Sequence, residues 1–161
     1  MFITIILFGL FIAPPQDRAG ATAEEKRTFL ELLSMLPTAA EFFTDEAIIK
    51  AAPHTRVLLA LTEKDIEGLD MYPFLALSRG LVDRKEPRDF GVKYFSKIAH
   101  PEIKLAWAVM LFDLKSASPE IVRFLREVLD SKEQSKILAK MIGSKFEDFK
   151  RRLKEHPSGE R

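Results

Sequence analysis

The sequence has no cysteine. That excludes disulfides, thiolate metal sites and cysteine nucleophiles, and leaves the redox compartment open. It has no excess of either charge: 25 Lys and Arg face 24 Asp and Glu. Net charge therefore gives no reason to expect a nucleic acid or a membrane surface as partner. Glycine is scarce, at seven residues, and none forms a phosphate-cradling loop. The longest apolar run is residues 2–13, FITIILFGLFIA. It is short of the ~20 residues a membrane-spanning helix needs. No segment alternates apolar and polar residues for long enough to be a strand.

What is present suits one globular helical domain. The chain has 161 residues, 47% hydrophobic and 30% charged. Charge is unevenly spread along it. Residues 22–70 hold 5 Lys and Arg against 10 Asp and Glu, while residues 132–161 hold 9 against 5. The apolar run at 2–13 fits the core of a secretory signal peptide, and Ala19-Gly20-Ala21 offers an A-x-A cleavage site. No Lys or Arg precedes the run, and its distance from that site is long. Residues 1–21 read as a signal peptide or N-terminal anchor, residues 22–155 as the helical domain, and 156–161 as a frayed polar tail. The expected location is periplasmic or extracellular, with no membrane span after processing. A cytoplasmic location is the alternative if the run is not a signal.

Helix signals recur through the domain. Thr22 with Glu25 forms a capping box before a helix over 23–36, ended by Pro37. Thr44-Asp45 opens a short helix to residue 52, and Pro53 starts another. Residues 62–68 are polar and read as a connection. Further helices are expected at 71–83, 87–98, 101–115, 119–130, 132–142 and 145–154. Ser131 with Gln134 and Ser144 with Glu147 are two more capping boxes. The organising stretch is His100 to Ser131. Pro101 sits at a first helical position, and every residue from Leu105 to Phe112 is apolar, so this helix should be buried nearly all round. Lys115 to Ser118 form the turn. Ser118 caps the next helix, whose stripe is Ile121, Val122, Leu125, Val128 and Leu129.

This stretch repeats. Thirty residues back, Leu105, Ala106, Leu111 and Asp113 fall on Leu75, Ala76, Leu81 and Asp83. Thirty-one residues on, Ala108, Met110 and Leu111 fall on Ala139, Met141 and Ile142. The companion positions Ile121, Leu125 and Leu129 map back 31 residues onto Phe90, Tyr94 and Ile98. A fixed period of this size signals stacked units. The segment PEIKLAWAVMLFDL resembles the inner helix of the HEAT repeat family in its short, lyase-type form, and PEIVRFLREVLDS resembles its outer helix. The resemblance covers about residues 70–143. His100 stands where the family has Asp, and Phe112 where it has Gly. The expected fold is all-α: a short α-solenoid of antiparallel helix pairs.

Candidate chemistry is sparse. His54, His100 and His156 each neighbour a proline, and none is spaced i, i+4 from another His or a Glu. His100 reads as an N-cap residue. No serine lies in a nucleophile elbow, and Ser78 falls mid-helix as a packing residue. Asp83 and Asp113 recur at equivalent positions and read as helix-end residues. Gly80, Gly91 and Gly143 read as sites of close helix approach, and Trp107 as core. Phe42-Phe43 has no evident place. Neither cofactor nor metal is expected.

The HEAT resemblance implies a non-catalytic protein-binding or scaffold module, with no nucleic acid as partner. Its inner helices would line a concave face, where the polar positions Arg79, Lys104, Lys136 and Lys140 form a basic row suited to an acidic protein segment. Because HEAT-like folds also carry DNA glycosylases and phycobilin lyases, the alternative is an enzyme. The near-zero net charge and lack of exposed aromatics count against the first, and the lack of cysteine against the second. A pocket receiving two or more ionisable side chains would favour the enzyme.

Overall fold

The computed structural model of the chain describes residues 20–34 and 44–157. Those residues are all-α, with no strand among them. The helices are α1 (Ala23–Ser34), α2 (Asp45–Ala51), α3 (Thr55–Ala60), α4 (Tyr72–Val82), α5 (Lys85–Lys93), α6 (Pro101–Asp113), α7 (Pro119–Asp130), α8 (Lys132–Ile142) and α9 (Phe146–Glu155). Short 3₁₀ turns sit at Ala52–His54, Phe95–Lys97 and Gly143–Lys145. Residues 1–19 of the signal peptide or anchor expected over 1–21, and the Phe42-Phe43 pair, lie outside the described residues.

Local chemistry explains most boundaries. The Thr22 amide donates to Glu25 Oε2 at 2.7 Å, and the Glu25 amide donates to Thr22 Oγ1 at 3.2 Å, closing a reciprocal capping box. Thr44, Ser118 and Ser131 cap α2, α7 and α8 through their hydroxyls. His100 does the same for α6: its Nδ1 accepts from the Glu102 amide at 3.2 Å. Three expectations fail locally. The Ser144–Glu147 box does not form; residues Gly143–Lys145 make a 3₁₀ turn, and α9 starts at Phe146 with no side-chain cap. Gly143 is not a close-approach residue; its φ of 57° is left-handed, and it ends α8 where a Cβ would meet nothing. The helix expected over 87–98 starts earlier, at Lys85, and breaks at Tyr94 into a 3₁₀ turn. Pro87 is tolerated there because an amide in the first turn has no intrahelical acceptor to lose.

Packing follows the chain. α4 lies against α2, α5 and α6; α3 against α1 and α5; α7 against α6, α8 and α9. One apolar core runs through all of them. Trp107 and Leu111 of α6 are fully buried, as is Leu58 of α3. Met110, expected with them in the core, is only half-buried because it lines a groove. Two helix crossings are closer than a side chain would allow. A Cβ on Gly91 would sit 2.2 Å from a Trp107 ring carbon, and one on Gly80 would sit 2.3 Å from Ile48 Cδ1.

Both ends of the described stretch contact the helical unit. Gly20 and Ala21 already touch the helical unit: Arg56 donates to the Gly20 carbonyl, and Ala21 packs on the core. His156, the first residue of the expected tail, has contacts of its own. Its carbonyl accepts from Arg126 at 2.7 Å, and its ring lies 5.5 Å from that of Phe112.

Candidate functional site

A groove of about 610 Å³ runs along α4 and α6 and is also lined by the end of α8 and by α9. α4 faces it with Tyr72, Leu75, Ala76, Arg79, Val82 and Asp83, and α6 with Ala106, Val109, Met110, Asp113 and Leu114. Steps of three and four residues put each set on one helix face. Three pairs are thirty residues apart: Ala76 with Ala106, Arg79 with Val109, and Asp83 with Asp113. The two alanines matter most for shape, since small side chains at equivalent places leave the floor hollow. Met141 and Ile142 from the end of α8, and Phe149 from α9, complete an apolar wall.

The rim is charged. Arg152 pairs with Asp113 at 2.7 Å and with Asp148 at 3.0 Å. Its guanidinium stacks 5.6 Å from the Phe112 ring centre and 5.9 Å from that of Phe149. The hydrogen bond from Arg152 to Asp113 is the main cause of a raised Arg152 pKa. Arg79, Asp83 and Lys145 stand exposed around it. The groove therefore receives several ionisable groups, the observation set above as favouring an enzyme. No Ser, Thr, His, Cys or Glu lines the groove, so it holds no imidazole base, and its one hydroxyl is the phenol of Tyr72. Asp113 is spent in an ion pair.

The four basic residues expected in one row are divided by the structure. Arg79 lines the groove. Lys104 does not: its ammonium lies 5.1 Å from the Phe95 ring centre and 5.3 Å from that of Phe124. That places it on the α7 side of α6, facing away from Ala106 and Val109. Lys136 and Lys140 are exposed on α8, one turn apart. The single concave row is thus corrected to three separate placements. The cause is α6 itself, which is apolar on every side and offers no polar face by which to phase it.

The three histidines are dispersed. His54 packs on Phe29 at 6.1 Å, and burial followed by the charge of Arg56 lowers its pKa. His100 caps α6, and His156 sits at the end of α9. No group of three His, Cys, Asp or Glu among the described residues could hold a metal ion. No helix among them is long and apolar enough to cross a membrane.

One polar element had no forecast in the sequence. Arg56, in α3, is only 3% exposed and reaches across to α1. It pairs with Glu25 and donates to the Gly20 carbonyl. The Arg56 hydrogen bond, then that of the Thr22 amide, holds the Glu25 carboxyl down at about 2. Every residue of α3 is buried, so its lone charge had to be paired. This is a brace and lies away from the groove.

No family model matches the chain, and no curated protein or solved structure matches it.

Proposed function

We propose that this chain is a non-catalytic protein-interaction module on a short HEAT-like stack, exported from the cell that makes it, and that its partner lies along the α4–α6 groove. The observation that carries the reading is the groove's repetition. Residues thirty apart on successive helices meet at one surface, as stacked units would require. The neighbour relations support it: α2, α4 and α6 follow one another in contact, as do α1, α3 and α5. α8 departs from that row by packing on α7 and α9, as a terminal capping unit could. The apolar floor with two half-buried methionines suits an adaptable contact with an apolar partner segment, because methionine repacks at low cost. The ionisable groups and the exposed Tyr72 along the groove are what favour the enzyme alternative, and the pairing of Arg152 with Asp113, which neutralises two of those groups, favours the binding reading.

Site-specific photo-crosslinking tests it. A crosslinker at the exposed groove positions Tyr72 or Leu114 should capture one protein in the producing cell, and Ala106→Trp, which fills the floor, should abolish capture. The same crosslinker at Ile49, 57% exposed and off the groove, should not capture it. Equal capture from all three positions, or capture unaffected by Ala106→Trp, refutes the groove as the binding surface. A crystal structure in which Ala76 does not superpose on Ala106 after a thirty-residue shift of the helix pairs refutes the stack. An intact Met1 on protein from the native source refutes cleavage of the leader.

A further inference from the structure

We propose that the protein associates head to tail with copies of itself, the basic face of α8 in one copy docking on the acidic loop between α3 and α4 in the next. The inference uses no groove residue and stands apart from the reading above. It rests on two exposed aliphatic side chains, Ile137 and Leu69, each set where charges of one sign predominate.

On α8, Lys132, Lys136 and Lys140 are exposed at successive i, i+4 positions, so they form one stripe. Ile137, 44% exposed, lies beside it. Like charges at this spacing repel one another, and none of the three has an ion-pair partner among the described residues. The contrast with α9 is informative. There Lys150 pairs with Glu147, Arg151 with Asp148, and Arg152 with Asp148 and Asp113. Among the described residues the last helix pairs three of its four cations, Lys154 excepted; α8 carries one acid, Glu133, and leaves its stripe unbalanced.

In the loop of residues 62–70, Glu63, Glu67 and Asp70 are exposed around Leu69, itself 51% exposed. Lys64 is the loop's only cation. This loop is preorganised. Asp65 accepts from the Thr62 amide at 2.7 Å and hydroxyl at 2.8 Å, and Lys26 of α1 grips the same carboxylate at 2.7 Å. Ile66 is buried beneath. The acidic groups therefore stand on a fixed platform and lose little freedom on docking.

Each patch offers what the other needs: an aliphatic centre and opposite charges around it. The two are different surfaces, so the contact is heterologous and propagates from copy to copy. It is small, and so weak and salt-dependent.

Sedimentation velocity on the full chain tests this. At about 50 mM salt the weight-average sedimentation coefficient should rise with protein concentration. At about 500 mM salt, where the Debye length is near 4 Å, it should return to the monomer value. Lys136→Glu with Lys140→Glu, and Glu63→Lys with Glu67→Lys, should each be monomeric at low salt with an unchanged melting temperature. Mixed one to one, they should associate again as alternating copies, because the unchanged patches pair with each other and so do the two charge-reversed ones. All four substitutions in one chain should restore self-association. Leu114→Glu, in the groove, should leave it unchanged. A wild-type chain that stays monomeric at low salt overturns the proposal, as does a mixture that does not associate. Loss of association in Leu114→Glu would also overturn it, by moving the contact to the groove.

Discussion

Gly91→Ala puts the close crossing of α5 and α6 to a direct test. In a helix interior the change should stabilise by up to about 1 kcal/mol, because alanine restricts the unfolded chain and is the better helix former. Here the new methyl would lie 2.2 Å and 2.5 Å from two ring carbons of Trp107. Ordinary carbon contact needs about 3.5 Å or more. The indole is rigid and fully buried, so it cannot swing away. α5 would have to withdraw by roughly 1 Å, losing contact along its whole inner face. Overpacking of this kind costs about 1–3 kcal/mol, sometimes more. The clash exceeds the propensity gain, and the net effect should be a loss of about 1–2 kcal/mol. At roughly 2–4 °C per kcal/mol for a chain of this length, the melting temperature should fall by about 2–8 °C. Gly80→Ala provides the control. Its methyl would meet Ile48 at 2.3 Å, but through Cδ1 and Cγ1, the movable end of a flexible side chain. Rotation of Ile48 should relieve most of the clash and leave Gly80→Ala the milder change. Thermal unfolding by circular dichroism ranks the two. In a Trp107→Leu background the cost of Gly91→Ala should largely vanish, giving a coupling energy of the same size. An equal or raised melting temperature for Gly91→Ala, or no coupling to Trp107, would refute the argument.

Two further outcomes follow from single residues. Leu111→Ala should cost about 2–5 kcal/mol, since Leu111 is fully buried and its removal leaves a cavity; chemical denaturation would measure it, and a cost under 1 kcal/mol would show that the site collapses or is not core. Glu25 has a folded-state pKa of about 2 against an ordinary 4.5, so its pairing with Arg56 stabilises fully above about pH 4.5 and is lost as pH falls toward 2. With Glu25 about a quarter exposed, this is worth about 2–3 kcal/mol. Glu25→Gln should therefore be less stable than wild type at pH 7 and should converge with it near pH 2; a gap that persists unchanged would remove the ion pair as its cause.

The sequence was readable where a local rule decides the outcome. Ser118-Pro119 and Ser131 fix the starts of α7 and α8 because a hydroxyl cap acts within three residues. The same holds for the box at Thr22 and Glu25 and for His100 in the role of a capping Asp. Readability failed where a helix is buried on every side. α3 and α6 have no polar face, so nothing in their periodicity says which way Arg56 or Lys104 points. The structure sends one across to α1 and the other onto Phe95 and Phe124. The groove was half legible. The thirty-residue repeat brought Ala76 and Ala106 into correspondence, but its lining by Met141 and Phe149 depends on how α8 and α9 turn back. That turn is made at Gly143, where a left-handed φ replaces the close approach expected from a small residue.

The N-terminal brace gives the proposed cleavage after Ala21 a physical consequence that can be measured. Cleavage after Ala21 would remove the Gly20 carbonyl that accepts from Arg56, and would make Thr22 the first residue. The Thr22 nitrogen already donates to Glu25 Oε2 at 2.7 Å. As a free α-amine it would carry a positive charge at neutral pH, with an ordinary pKa of about 7.7–8.0. A neighbouring carboxylate raises that value in the folded state. The sign then follows from linkage. A group with a raised folded pKa stabilises fully below its unfolded pKa and loses that contribution as pH rises through the folded one. A protein beginning at Thr22 should thus lose stability, relative to one retaining residues before Gly20, as pH rises from about 7 to 10. Lysines and tyrosines titrate in both proteins and cancel in the difference. Glu25→Gln should abolish the effect by removing the carboxylate. Urea unfolding of the two proteins across that range makes the comparison. A difference that stays flat with pH would show that the Thr22 nitrogen makes no ionic contact once freed. Leader removal would then only subtract the Gly20 bond, leaving water to satisfy Arg56.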